Sequence, residues 1–317
     1  MSQQEVLLSI LRKKIKSGSL IDAVAVALGI SYDAAHRRVS SKSKFSIDEA
    51  VVLCRHYKIS IDAILTGSSS LVVEKTREIE SSDDMTQYFG QSAAYLDKYE
   101  SDENISIFYA AKDIPLFYMI GGTLLSKFKL YVWMELLTGL EKPFESFVMP
   151  ENLQTHITRI RMAYERAEVH EIWNDTTINS TLQQIFYFFE SGLLSKQNAV
   201  ALYEDMRQLL RKVESKCEET GGNFKLYFNE LLILNNNVIV SSVERKTMFI
   251  PYTALGYFIT EDETTCQKAF DYFLRQIKTS KSLNLSGTRD RKIFFNKASR
   301  KVDFYISRLE NPEELLV

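Results

Sequence analysis

Basic side chains cluster in a short segment near the N-terminus. His36, Arg37 and Arg38 are consecutive, and Lys42 and Lys44 follow closely. A guanidinium group can donate two hydrogen bonds to the O6 and N7 atoms of guanine, a pairing worth roughly 1–3 kcal/mol against a wrong base. Arginine and lysine also bind phosphate groups. The segment therefore carries side chains suited to double-stranded DNA, although the same residue types also cover solvated helix surfaces.

The residues around this cluster predict two short helices that would position it. The apolar residues of 20–28 recur at helical spacing, Gly29 tolerates a positive φ in the turn, and Ser31 can cap the next helix. The other helices expected here lie at about 4–16, from the capping box Ser46-Ile47-Asp48-Glu49 to about Tyr57, and from Ser60 onward.

This layout resembles the helix-turn-helix domain of the XRE or Cro/phage-repressor family over about a fifth of the chain. The resemblance implies an all-α, five-helix DNA-binding head. Implied base-reading residues are Tyr32, Asp33 and Arg37. Implied phosphate contacts are Ser19, Ser31, His36, Arg38, Lys42, Lys44 and Ser46, the last through its backbone N–H. The family usually begins its second helix with a polar, phosphate-binding residue, but Leu20 and Ile21 occupy that stretch here, so Ser17 or Ser19 would have to replace it.

Three residues of the implied recognition helix keep two interpretations each. Asp33 could accept a hydrogen bond from cytosine N4, but an acid in the first turn also stabilises a helix through the macrodipole. Tyr32 could contact a thymine methyl group or a phosphate. His36 could reach the DNA backbone or pack on the first helix.

Charge is distributed unevenly along the chain. Residues 1–66 contain ten Lys and Arg against six Asp and Glu, a net charge of +4. Since the whole chain has 39 basic and 41 acidic residues, the remainder has 29 against 35, a net charge of −6. A basic head on an acidic body would orient the molecule on a polyanion.

The three cysteines, Cys54, Cys217 and Cys266, are widely separated and show no metal-binding spacing. We therefore expect neither a disulfide framework nor a zinc site. A reduced cytoplasm is the expected location, and no apolar run is long enough to predict a membrane span. No cofactor is expected.

Beyond the head, the sequence predicts an α-rich α+β protein. A serine-rich linker is expected at 68–84, which gives a head at 1–67 and a body at 85–317. The body is expected to be mostly helical, with one small antiparallel sheet that includes a hairpin of 224–234 with 238–243. The helices expected lie at about 84–100, 117–137, 151–173 with a break near 167–170, 175–190, 196–219, 262–279 and 288–310.

The body is also similar to the C-terminal module that follows such heads in a group of largely uncharacterised bacterial regulators. The similarity rests on KDIPLF (112–117), FKLYVW (128–133), EIWNDTTINSTLQQI (171–185), YFNELLILNNNVIV (227–240) and the serine-rich segment 280–286 ahead of RKIFFN. It implies a sensing or assembly role without a defined ligand.

Sequence motifs of common enzymes are missing, including phosphate-binding glycine loops, HExxH and GxSxG. Glu171 and Trp173, next to His170, could line a ligand pocket or form a packed cluster whose polar groups are satisfied. Asn229 and Glu230, inside an otherwise apolar strand, are the other pocket candidates. We expect no enzyme activity, although an undetected catalytic site in the body is a remote alternative.

Together these patterns predict a sequence-specific DNA-binding transcriptional regulator that acts as a homodimer on double-stranded DNA. The body would supply the dimer contact and a sensor for an unknown small-molecule or protein effector. The alternative is an adaptor whose head docks a protein rather than DNA.

Overall fold

The computed structural model describes residues 2–15, 18–57, 59–61, 64, 71, 73–139, 142–150, 152–231, 234–284 and 287–310. The chain divides into two units, Met1–Val72 and Val73–Val317. Each unit has its own hydrophobic core. The fold is mixed α and β and 57% of the described residues are helical, so the predicted α-rich character is confirmed.

The described part of the first unit contains helices α1 (Gln3–Lys14), α2 (Leu20–Leu28), α3 (Tyr32–Val39) and α4 (Ile47–His56). Each begins after a serine whose hydroxyl accepts a backbone N–H of the first turn, namely Ser2, Ser19, Ser31 and Ser46. The predicted capping box of Ser46 and Glu49 is confirmed. The fifth helix predicted from Ser60 falls mostly on residues outside the described ranges, as does Ser17.

The turn between α2 and α3 has the predicted glycine in the left-handed conformation. Gly29 has φ 64° and ψ 34°, which an L side chain rarely adopts. The Ile30 N–H then donates to the Ala25 carbonyl at 3.1 Å, which closes the end of α2. Below this turn, Leu11, Val24 and Ala35 are fully buried and hold α1, α2 and α3 together.

The second unit contains a mixed sheet of eight strands within the described residues. The strands are β1 (Glu74–Lys75), β2 (Ser106–Ala110), β3 (Glu168–Trp173), β4 (Phe224–Phe228), β5 (Val238–Ser241), β6 (Lys246–Pro251), β7 (Tyr257–Thr260) and β8 (Lys281–Ser282). Their order is β1-β7-β6-β5-β2-β3-β4-β8. The central pairs β2–β3 and β3–β4 are parallel, and the other pairs are antiparallel.

The prediction of a small antiparallel sheet is therefore wrong in both size and direction. The largest error lies at 168–173, where the sequence predicts the end of a helix and the structure has the interior strand β3. This strand is covered on both faces, so it lacks the alternation that identifies a half-exposed strand. The helix before it ends at Arg166, which confirms the predicted break.

The predicted hairpin of 224–234 with 238–243 is also wrong. Strand β4 pairs with β3 and β8, whereas β5 pairs with β2 and β6. Asn236 does adopt a left-handed conformation, with φ 61°. Its N–H donates to the Ala110 carbonyl at 2.9 Å, so the turn directs the chain along β2 instead of back along β4.

Helices cover both faces of the sheet. They are α5 (Ser82–Asp97), α6 (Leu124–Thr138), α7 (Leu153–Arg166), α8 (Asn179–Glu190), α9 (Lys196–Glu218), α10 (Glu263–Lys278) and α11 (Gly287–Arg308), with short 3₁₀ turns at Leu116–Tyr118 and Phe144–Ser146. Alternate residues of β2 enter different cores: Ile107 joins the larger core, whereas Phe108 packs with Phe273 of α10. No helix in the described ranges is long and apolar enough to cross a membrane.

The predicted linker at 68–84 is too long. Residues from Val73 onward belong to the second unit, and β1 pairs with β7 through Glu74 opposite Ile259. Thr76 and Ile79 are buried, and α5 begins at Ser82. The serine and acidic residues that predicted a linker instead include the cap of this helix, because Ser81 accepts the N–H of Asp84.

Candidate nucleic-acid interface

One face of α3 is exposed and polar, whereas the opposite face enters the core. The exposed side chains are Tyr32, Asp33, His36 and Arg37. At 100° per residue they span an arc of about 140°. Ala35 is fully buried, and Ala34 and Arg38 are partly buried, on the other side. The three residues implied as base-reading thus lie on a common outward face with His36.

Arg37 is an exposed basic side chain on this face of α3. It lies in the last turn of α3, and its guanidinium makes no ion pair with another described residue. Tyr32, at the first position of the helix, is 54% exposed. His36 is exposed on the same face. The guanidinium of Arg37 and the phenol of Tyr32 therefore both project from α3.

Arg38 was expected to contact phosphate, but its guanidinium is already engaged. Its Nε–H donates to Glu49 Oε2 at 2.9 Å, and Nη2 donates to Oε1 at 2.5 Å. Nη1 donates to the Ala34 carbonyl at 3.1 Å. Hydrogen bonding to this guanidinium lowers the pKa of the Glu49 carboxyl. We therefore correct the prediction, because Arg38 joins α3 to the start of α4.

Ser46 was expected to offer its backbone N–H to a phosphate, and this prediction is also wrong. That N–H donates to Glu49 Oε2 at 3.0 Å, while the Ser46 hydroxyl accepts the Glu49 N–H at 3.1 Å. The capping box thus satisfies the donor within the chain. Ser19 and Ser31 are exposed caps of α2 and α3, whose hydroxyls accept from Ile21 and Ala34. Neither hydroxyl donates a hydrogen bond to another described residue.

The loop between α3 and α4 presents Lys42 and Lys44, which are both exposed. Gln4 of α1 holds this loop: its Nε2 donates to the carbonyls of Arg38 at 2.8 Å and Ser43 at 3.0 Å. Its Oε1 accepts the Phe45 N–H at 3.1 Å. Sequence reasoning missed Gln4, because a single glutamine near a helix start gives no signal of such a role.

The cations that face solvent on this side are therefore fewer than the sequence suggested. Arg38 is compensated by Glu49, which leaves Arg37, Lys42 and Lys44 as the exposed basic groups of α3 and the following loop. They follow one another from the helix into the loop. This arrangement allows one fork-shaped donor to meet a base edge while the ammonium groups meet phosphates.

Glu171 and Trp173, which were candidates for a ligand pocket, form a buried polar cluster instead. Glu171 and Trp173 are fully buried and bonded to each other, with Trp173 Nε1–H donating to Glu171 Oε2 at 2.8 Å. The hydroxyl of Tyr164 donates to Oε1 at 2.5 Å, and that of Tyr118 reaches Oε2 at 3.4 Å. Burial raises the pKa of Glu171 to about 7 despite these donors. The four residues are a buried polar network.

Asn229 and Glu230 follow strand β4, which ends at Phe228, instead of lying inside it. The side chain of Asn229 holds two loop segments together: its Nδ2 donates to Ser280 Oγ at 3.1 Å, and its Oδ1 accepts the Leu231 N–H at 3.0 Å. Glu230 is exposed. The prediction of a ligand pocket is therefore wrong for Asn229, whose backbone N–H also donates to the Trp173 carbonyl at 3.0 Å, whereas for Glu230 it stays a prediction.

The described residues contain no group of three or more His, Cys, Asp or Glu side chains arranged to hold a metal ion. No family model matches the chain, and no match was found among curated proteins or solved structures. The functional argument therefore depends on the geometry of the two units alone.

Proposed function

We propose that the chain is a sequence-specific DNA-binding transcriptional regulator, in which α3 enters the major groove. The observation that carries this proposal is the exposed face of α3, where Tyr32, Asp33, His36 and Arg37 project away from a helix anchored by Ala35. A major groove about 12 Å wide admits one α-helix, and its base edges carry a distinct pattern for each base pair.

Within this proposal, Arg37 reads a guanine through its two parallel donors. Tyr32 and Asp33 occupy the first turn, where side chains of a recognition helix meet base edges. Lys42 and Lys44 contact phosphates and set the position of the helix without reading sequence. Gln4 holds their loop by its three hydrogen bonds, so the lysines are presented at a fixed height relative to α3.

Dimerisation is the second part of the proposal. A single small head buries little surface on DNA, so two heads are needed for specific affinity. In a symmetric dimer, recognition helices about 34 Å apart would meet successive major grooves of a palindromic site. We assign the dimer contact to the second unit, which carries net negative charge and would be repelled from phosphate.

The experiment is selection of duplexes from a random-sequence library by the full chain at two salt concentrations, with a fragment of residues 1–72 in parallel. Enrichment of a palindrome by the full chain, and weaker enrichment by the fragment, would support both parts of the proposal. Binding should weaken with salt, because each neutralised phosphate releases a counterion. Absence of both enrichment and salt dependence would contradict it and favour a protein-docking role for the first unit.

A further inference from the structure

The larger core of the second unit contains a cavity of ≈ 60 Å³ between one sheet face and helices α5 and α7. Five aromatic rings contribute to its wall: Tyr88, Tyr109, Phe117, Phe249 and Tyr257. One water needs about 10–15 Å³ of such space, so the cavity has room for roughly four to six non-hydrogen atoms. The upper end of this range is the size of a single six-membered ring.

The chemistry of the wall selects against charge. Every described residue that lines the cavity is apolar, hydroxylic or phenolic, and none carries a formal charge. Three of the rings belong to tyrosines, namely Tyr88, Tyr109 and Tyr257. Burial raises the pKa of all three tyrosines, so they stay neutral phenols. An ion would lose its hydration here without a compensating partner.

One side of the cavity is formed by the segment through which the chain enters the second unit. Thr76, 4% exposed, follows β1 directly and lines the cavity. Its N–H donates to the Tyr257 carbonyl at 2.9 Å, and its hydroxyl accepts the Tyr257 N–H at 2.9 Å. A molecule packed against Tyr257 therefore contacts the strand pair that anchors the connection from the first unit.

From these observations we infer that the cavity is a binding site for a compact, uncharged ring compound, apolar or with one hydroxyl group, that acts as an effector. The aromatic rings would pack against the ligand ring in stacked or edge-to-face arrangements. The tyrosine hydroxyls would form hydrogen bonds with a ligand hydroxyl. The effector role depends on the proposed DNA-binding function, whereas the binding site does not.

The first test measures thermal unfolding of the full chain with toluene, phenol or benzoate. Both tryptophans, Trp133 and Trp173, lie in the second unit, so their fluorescence follows that unit. At ten times its dissociation constant, toluene or phenol should raise the midpoint by about 3–6 °C. Benzoate, which has a similar ring and a charge, should produce no rise. Equal shifts with all three probes, or none, would overturn the binding site.

A matched pair of variants locates the effect. Val240 lines the cavity, whereas Val169 is buried on the same sheet face and does not line it. Val240→Ile fills part of the space, so it should keep or raise the midpoint and at least halve the toluene shift. Val169→Ile overpacks a filled region, so it should lower the midpoint and keep the shift. An undiminished shift in Val240→Ile would place the probe elsewhere and overturn the assignment.

The second test measures DNA affinity of the full chain with and without saturating phenol. A change of at least threefold in wild type, lost in Val240→Ile, would support the effector role. A probe-dependent melting shift with unchanged DNA affinity would overturn that role and leave the binding site standing. Failure of the chain to bind any duplex would overturn the proposed function, and the melting shift would still decide the binding site.

Discussion

The guanidinium of Arg38 donates two hydrogen bonds to the carboxylate of Glu49, which also caps the first turn of α4. Their side chains are 23% and 20% exposed, so water screens the pair less than it would a fully exposed one. Arg38 thus fixes the angle at which α3 leaves the core. It thereby holds the helix from which the exposed Arg37 projects.

Arg38→Ala should destabilise the first unit by about 1–2 kcal/mol, since it removes a charge-assisted pair and leaves Glu49 with only its cap bonds. Urea denaturation of the 1–72 fragment, followed by circular dichroism, measures this. Because the pKa of Glu49 is lowered in the folded state, the stabilisation is present above its ordinary value of 4.5 and is lost as pH falls further. An Arg38→Ala variant with unchanged stability but a smaller salt slope for DNA would restore the phosphate role.

Arg37 and Lys42 should differ in the kind of DNA-binding defect they produce. Arg37→Ala should relax specificity at one base pair by about 1–3 kcal/mol, whereas Lys42→Ala should weaken all sequences alike and lower the salt slope by about one. Arg12→Ala, an exposed cation at the end of α1, is the matched control and should change neither. The measurement is titration of cognate and random duplexes at several salt concentrations. Equal losses on both duplexes in both variants would refute the division of roles.

The parts of the fold that sequence predicted are those set by contacts within one or two turns. Gly29, Ser31 and the capping box of Ser46 interact with neighbouring residues, so they can be recognised from the sequence alone. Strand β3 was missed because its partners β2 and β4 lie some fifty or more residues away, and burial on both faces erases alternation.

The candidate interface was predicted as a set of residue types, but the structure decides which of them are available. Arg37 and Arg38 are adjacent and chemically identical in the sequence. One is exposed and the other is paired with Glu49, eleven residues away across a loop. Gln4 shows the same limit, since its partners lie 34 to 41 residues away. Side-chain pairing across loops leaves no periodic pattern in the chain.

Glu171 should make the second unit less stable as pH rises. Its folded pKa of about 7 lies above the ordinary value of 4.5, so the folded chain keeps a proton that the unfolded chain has released in this window. The free energy of unfolding should fall by up to about 3 kcal/mol from pH 4.5 to 7 and then level off. Urea denaturation followed by tryptophan fluorescence measures the decline.

Glu171→Gln should abolish that decline, because an amide does not titrate. Glu165→Gln changes an exposed carboxyl of the neighbouring helix α7 and should leave the decline intact. Trp173 donates to Glu171 directly, so its emission should also titrate near pH 7 in the chain with Glu171. A decline that survives in Glu171→Gln would assign the pH dependence to another group.

Lys129 should tolerate loss of its charge better than loss of its partner. Its ammonium, 1% exposed, donates to Asp113 Oδ2 at 2.9 Å and Gln184 Oε1 at 2.8 Å. Asp113→Ala leaves a buried cation without a carboxylate and should cost about 3–5 kcal/mol in unfolding free energy. Lys129→Met has a side chain of similar length and should cost less, because the Asp113 carboxylate that loses its partner is 23% exposed and can be hydrated. Equal losses in urea denaturation would show that packing, and not the uncompensated charge, sets the cost.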